Sequence, residues 1–326
     1  MATIAKTLAS STAPHLRSFD IRRDLGAVAD LVELCFTDTL DADGRSYLSR
    51  MRAAANKSSL LGWASHASEW ASVPMKGYVW EQDGRLVGNA SVIPYFLKGT
   101  RFYLVANVAV HPEYRRRGIA RALTERAIEH ARRRGSPSVW LQVREENDPA
   151  VTLYRALGFV EMARRTTWYC DKDFPPAEDM LGLTFQPPQS RDWPWQKTWL
   201  RSGYPPELSW HMSFNRDVLR PGIVGAFFRF IYDAYIKQWA VYYHDQIRAA
   251  LTWQSSLANA NTLWLAAPAD IDDLTLYALL IYARRHLPSP RPVMLEYPAG
   301  QSSTAIQQAG FYNQQTLIWM RLIIEK

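Results

Sequence analysis

Three consecutive arginines, Arg115, Arg116 and Arg117, run straight into Gly118-Ile119-Ala120. That order of residue types suits the capture of an anion. The spacing downstream predicts a helix beginning at the glycine, and a helix start leaves four backbone N–H groups without partners and about half a positive charge. A glycine there lets an anion approach the backbone closely. Arginines add long-range attraction and charge-assisted hydrogen bonds. A phosphorylated ligand is what such a bend would take. By itself, however, an arginine run more often decorates a solvated helix start, so the neighbouring elements must decide.

Those elements form a definite order. Val108, Ala109 and Val110 read as a strand, turned by His111 and Pro112. In the helix after the arginines, Ile119, Leu123, Ala127 and Ala131 share one face, while Arg121, Glu125, Glu129 and Arg132 share the other. Ser138–Val143 is a second strand, and Asp148 to Leu157 a second helix. Asp148 suits its N-cap, Pro149 its first position and Gly158 the left-handed residue past its end. Tyr154 therefore sits on a short, rigid element. A phenol is neutral at pH 7 and can donate a proton to a developing thiolate. On position alone, Tyr154 reads equally well as an aromatic packed on the inner face of its helix.

The order strand, R-x-x-G-x-A, helix, strand, N-x-x-A-x-x-L-Y-x-x-x-G-F resembles the GNAT superfamily of acyl-CoA-dependent N-acyltransferases. Arg115, Gly118 and Ala120 match the first pattern, with alanine in place of the commoner last glycine; Asn147, Ala150, Leu153, Tyr154, Gly158 and Phe159 match the second. The resemblance is good over about residues 18 to 170 and holds only in outline beyond. It implies an α/β (α+β) fold with a mixed, mainly antiparallel central sheet flanked by helices. It also implies roles. The backbone of the Val108, Ala109, Val110 strand would pair with the pantetheine arm of acetyl-CoA. The bend of Arg115, Arg116, Arg117, Gly118, Ile119 and Ala120 would hold its phosphates. Asn147 would touch the arm, and Tyr154 would protonate the departing sulfur as an amine attacks the thioester. The donor would be acetyl-CoA, with no metal, and the acceptor a small-molecule or peptide amine. Many relatives carry a glutamate near the strand before the phosphate loop, where this chain has Ala106 and Asn107. Glu145, Glu146 or an acid of the early loop could relay the amine's proton, but no base is assigned. A non-catalytic acyl-CoA-binding or regulatory protein is the alternative reading.

The whole chain fits this picture. Its 326 residues suit two domains, expected at 15–180 and 181–326 after a loose tail at 1–14. No apolar run reaches the ~18 residues of a membrane span; Phe227–Ile231 is interrupted by Arg229. Only Cys35 and Cys170 occur, pointing to a reducing cytoplasm rather than a disulfide framework. The net charge of +7 could suggest nucleic acid, but no zinc-ligand spacing or basic recognition helix accompanies it. Upstream, Leu25 to Phe36 and Tyr47 to Ala71 read as helices, and Tyr78–Glu81 with Arg85–Ile93 as a hairpin turned at Asp83-Gly84. Leu104–Val110 is the next strand. The loop Thr37–Arg45 holds Asp38, Asp41 and Asp43, near where the resemblance would admit an amine, although loop acids are more often simply solvated.

After a Pro/Gln-rich linker at Gln186-Pro187-Pro188-Gln189, the pattern recurs. Trp239–Tyr243 and Ile247–Trp253 read as a hairpin, Leu263–Ala267 and Val293–Tyr297 as strands, and Leu274–His286 and Ser303–Ala309 as helices. Gly310-Phe311 falls one domain length after Gly158-Phe159. The chemistry does not recur. Asp270, Asp272 and Asp273 replace the arginines and glycine, Ile306 replaces Tyr154, and Ala299 replaces Asn147. The second copy should not bind acyl-CoA in this way. Trp193, Trp195, Trp199 and Trp210 are expected to pack in a core or between domains.

Overall fold

A computed structural model describes residues 15–56, 76–171, 182–209, 212 and 214–325. The chain divides into two compact units, one of residues 1–142, 148–160 and 320–326, the other of 143–147 and 161–319. The expected domain boundary at 180 and the tail at 1–14 lie outside the described residues, as do Trp210 and most of the Tyr47–Ala71 stretch beyond Asn56.

The first unit contains β1 (Leu16–Ser18), α1 (Ile21–Phe36), α2 (Ala42–Ala55), β2 (Gly77–Gln82), β3 (Arg85–Leu97), β4 (Thr100–Val110), α3 (Ile119–Arg133), most of β5 (Ser138–Arg144) and α4 (Asp148–Ala156). Its strands lie in the order β1-β2-β3-β4-β5. All neighbours are antiparallel except β4 and β5, because α3 crosses over between that pair. Two hairpins drive the antiparallel part. Asp83 and Gly84 have φ of 52° and 74°, and Lys98 and Gly99 have 49° and 79°, the left-handed pairs that suit the twist of a two-residue hairpin turn.

The face of α3 foreseen from spacing is the buried one: Ile119, Leu123, Ala127 and Ala131 are covered. It packs directly over β3. There a Cβ on Gly88 would lie 2.8 Å from Ile119 Cγ2 and 3.0 Å from Leu123 Cδ1, so the absence of a side chain is what permits the approach. On α1, Leu25, Val28 and Val32 join Leu48 and Met51 of α2 and Ala109 of β4 in one core.

The second unit holds most of β6 (Val160–Cys170), β7 (Leu183–Gln186), α5 (Trp193–Gly203), α6 (Pro206–Ser209), α7 (Gly222–Ile231), β8 (Ile236–Tyr243), β9 (Gln246–Gln254), β10 (Asn261–Ala266), α8 (Asp273–Arg285), β11 (Val293–Pro298), α9 (Ser303–Gln308) and most of β12 (Tyr312–Ile323). From β8 to α9 it repeats the order β2 to α4: a left-handed hairpin turn at His244-Asp245, antiparallel β8-β9-β10, a crossover helix, and a parallel β10-β11 pair. Beyond β11 the order departs from chain sequence. β6 pairs antiparallel with β11, Arg165 opposite Pro298 and Cys170 opposite Val293. In the first unit, the terminal segment is anchored by the N–H of Ile324 donating to Pro137 O at 2.9 Å.

Candidate active site

The helix start built from the arginines is open to an anion. Gly118 is the N-cap of α3 with φ of 80°, no side chain caps the helix, and its first turn contains no acid. A Cβ on Gly118 would meet nothing within 4 Å, so the left-handed backbone rather than crowding asks for glycine. Arg116 is also left-handed, at φ 64°, and bends of this kind turn successive N–H groups into an anion-binding concavity. The three arginines are not equivalent. Arg115 Nε donates to Val110 O at 3.2 Å, and Arg117 Nη2 to Glu113 O at 3.0 Å, with its guanidinium 5.0 Å from the Tyr114 ring centroid. These two brace the bend by bonding to backbone, and all three arginines are exposed.

The strand leading into the bend parts from its neighbour. The β4–β5 ladder pairs Tyr103, Leu104 and Val105 with Val139, Trp140 and Leu141 and then stops. At the same level the β3–β4 register slips by one residue between Asn89 and Ser91, and Asn107 takes φ of 50°. This is a β-bulge, which bends its strand and increases local twist. It is held from two sides. The buried Asn89 donates through Nδ2 to Asn107 O at 2.8 Å, and Asn107 Nδ2 donates to Tyr47 Oη of α2 at 3.0 Å. Past the bulge, Val108 is half-buried and Ala109 buried. The Val110 carbonyl accepts from Cys35 Sγ and Arg115 Nε, each at 3.2 Å. Part of the strand edge expected to meet the pantetheine arm is therefore already engaged by the protein itself.

Tyr154 lies on α4 and is only 6% exposed, edge-to-face with Phe159 at 6.0 Å between centroids. Burial pushes its phenol up to about 12, since a low-dielectric site disfavours the phenolate. The helix end is locked as the sequence suggests: Phe159 N–H donates to Tyr154 O at 3.0 Å and Gly158 N–H to Arg155 O at 3.0 Å, the paired bonds of a glycine stop, with Gly158 at φ 87°. At the other end, α4 already includes Asp148. The cap position thus falls to Asn147, whose N–H donates to Arg144 O at 3.1 Å.

Three of the acids singled out from sequence have structural partners. Asp41 caps α2, accepting from Gly44 N–H at 2.6 Å. Glu145 is ion-paired with Arg164, and Glu146 lies 4.0 Å from Arg144. In the second unit, the counterpart of the arginine–glycine bend is capped by a side chain. Asp272 accepts from Thr275 N–H at 2.8 Å and caps α8, with Asp273 in the first turn. Ile306, at the place of Tyr154, is fully buried. Trp193 and Trp199 pack on that unit's core, whereas Trp195 is 62% exposed. Two hollows of about 330 and 530 Å³ are lined wholly by second-unit residues. Among the described residues, no group of three or more His, Cys, Asp or Glu is placed to hold a metal, and no helix is long and apolar enough to cross a membrane.

The bulge is the feature sequence reasoning missed. Its one trace is Asn107 itself, since asparagine enters the left-handed region more readily than most residues.

Comparison with known proteins bears on the same segment. Residues 40–159 match the acetyltransferase (GNAT) family. A stretch of 67 residues is 43% identical to the ribosomal protein bS18-alanine N-acetyltransferase of Escherichia coli (strain K12), covering 21% of this chain and 45% of that protein. Another of 52 residues is 54% identical to the mycothiol acetyltransferase of Thermobifida fusca, covering 16% of each. The chain thus spans less than half the length of these curated relatives. Among solved structures, a GCN5-related N-acetyltransferase from Sphaerobacter thermophilus aligns with TM-score 0.58 at 16% identity over 95% of this chain and 96% of that one. A tandem GNAT protein from the clavulanic acid biosynthesis pathway aligns with TM-score 0.51 at 16% identity over 95% and 99%. At such identities the likeness is one of fold.

Proposed function

We propose that this chain, whose residues 40–159 match the acetyltransferase (GNAT) family, is an N-acetyltransferase moving an acetyl group from acetyl-CoA to a primary amine. One observation carries the reading: an uncapped helix start with left-handed Gly118 stands at the end of a strand that leaves its neighbour after Val105. An anion and an extended arm have matching places there. The N–H groups from Arg116 to Ala120, with the exposed Arg116, would hold the pyrophosphate. Val108, Ala109 and Val110 would line the arm, and Asn147 would touch it from the start of α4.

The chemistry then asks little of side chains. The amine nitrogen attacks the thioester carbonyl carbon, the C–S bond breaks, and Tyr154 gives its proton to the leaving sulfur. The new ammonium loses a proton to solvent, and the phenol is restored. Tyr154 fits because burial keeps it protonated. Relatives that acetylate a ribosomal protein alanine or are named streptothricin acetyltransferase make both peptide and small-molecule amines reasonable acceptors.

Titration calorimetry tests the binding half. Gly118→Glu, which places a carboxylate on a left-handed backbone at the anion site, should cost at least tenfold in acetyl-CoA affinity; unchanged affinity sinks the proposal. For the chemical half, a panel of amines is screened for acetyl-CoA-dependent thiol release. Tyr154→Phe should lower turnover by about 10²- to 10⁴-fold with cofactor affinity kept. A second reading, a non-catalytic acyl-CoA binder, draws on Asn107 standing on β4 without a carboxylate. Tight acetyl-CoA binding with no thiol release from any amine would favour it.

A further inference from the structure

Helix α7 of the second unit is apolar on the wrong side. Its inward face is made by Gly225, where a Cβ would lie 1.7 Å from Arg220 O, and by Phe228, which packs on the core. Arg229 reaches back from the helix and donates to Val218 O at 3.1 Å and Arg220 O at 3.0 Å. The helix is therefore fixed in orientation. What it turns outward is Ile223, Val224, Phe227, Phe230 and Ile231, continued by Tyr235 just before β8, with Ile223 90% and Phe230 86% exposed. These six side chains are each 43–90% exposed, a run of apolar surface of the kind that marks a protein–protein contact.

The patch carries both a projection and a recess. Beside Phe230 lies a hollow of about 330 Å³ lined by Arg229, Phe230, Asp233, Ala234, Tyr235 and Ile236. A two-fold interface needs both complements on the same surface, because each copy presents the same patch to the other. Charge agrees. The hollow is lined by one guanidinium, already bonded to backbone, and one carboxylate, Asp233, so it carries no net charge. An anionic lipid surface would instead be met by a cationic rim. Tyr235 also stands edge-to-face on the buried Trp253 at 5.6 Å, which holds the rim of the recess in place before any partner arrives.

We propose that α7 is the self-association surface of this protein, pairing two copies about a two-fold axis with Phe230 of one seated in the recess of the other. None of its residues belongs to the candidate active site.

Sedimentation velocity of the full chain across a dilution series reads the outcome. The wild type should sediment as a dimer that dissociates on dilution. Phe230→Glu and Ile223→Glu, each at a solvent-facing position, should be monomeric throughout with unchanged thermal melting by circular dichroism. A wild type that is monomeric at every concentration overturns the proposal, as does a dimer that survives both substitutions. A monomer that co-sediments with phosphatidylserine vesicles and loses this with Phe230→Glu would likewise overturn it, assigning the face to a membrane.

Discussion

Tyr154 shows what burial does to a candidate acid. Its phenol is raised from 10.0 to about 12, so the proton-donating form persists across any working pH. Turnover should accordingly rise with pH as the acceptor amine loses its proton and show no alkaline fall below about pH 10; a fall near neutrality in the kcat profile would mean that some other group is the acid. The same shift has a stability consequence. Because the folded pKa lies above the unfolded one, Tyr154 contributes stability that is intact below pH 10 and lost as pH rises through 12. Each pH unit in that window costs about 1.4 kcal/mol per such group. Urea melts should therefore find Tyr154→Phe losing less stability than wild type over this range. At Gly118 two substitutions part conformation from charge. Gly118→Ala carries only the left-handed strain of roughly 1–2 kcal/mol, and its acetyl-CoA affinity should fall much less than that of Gly118→Glu.

Elements carry the site more than side chains do. The arginine–glycine bend is placed by α3 lying close over β3, and that closeness rests on Gly88. Gly88→Val would drive methyl groups into Ile119 and Leu123. It should destabilise the fold by about 1–3 kcal/mol and weaken acetyl-CoA binding without altering any residue that touches it, measurable by denaturant midpoint and calorimetry together. Most of these elements were legible. Asp83-Gly84 announces its hairpin because few residues accept two left-handed positions in succession, and the amphipathic face of α3 is a clean 3.6-residue stripe. The repeated Gly-Phe stop is equally plain, with Gly158 and Gly310 at φ of 87° and 84°. Other elements left weaker marks. β4 begins at Thr100 rather than Leu104, its first two residues, Thr100 and Arg101, being exposed. β6 is exposed along its first half and covered along the rest, so neither a two-residue period nor a continuous apolar run appears. Helix α7 hides for the opposite reason, its apolar residues pointing to solvent. The bulge at Asn107 depends on pairing between distant strands, which no local spacing records.

At the scale of the molecule, the compact units do not follow the chain. The first takes in residues 320–326 from the end of the sequence, and the second takes in 143–147 and most of β6 from the first half. Fragments 1–180 and 181–326 expressed apart should each lack part of a unit and fail to show a cooperative thermal transition by circular dichroism. Mixed after refolding together, they should recover one. Two independently folded fragments would refute this account of the architecture. The division also bears on the unequipped copy, whose helix start is closed by Asp272 and whose core fills the tyrosine's place with Ile306. Each half of the chain carries a segment of the other half's unit, so cutting away the second copy would also take residues 320–326 from the first.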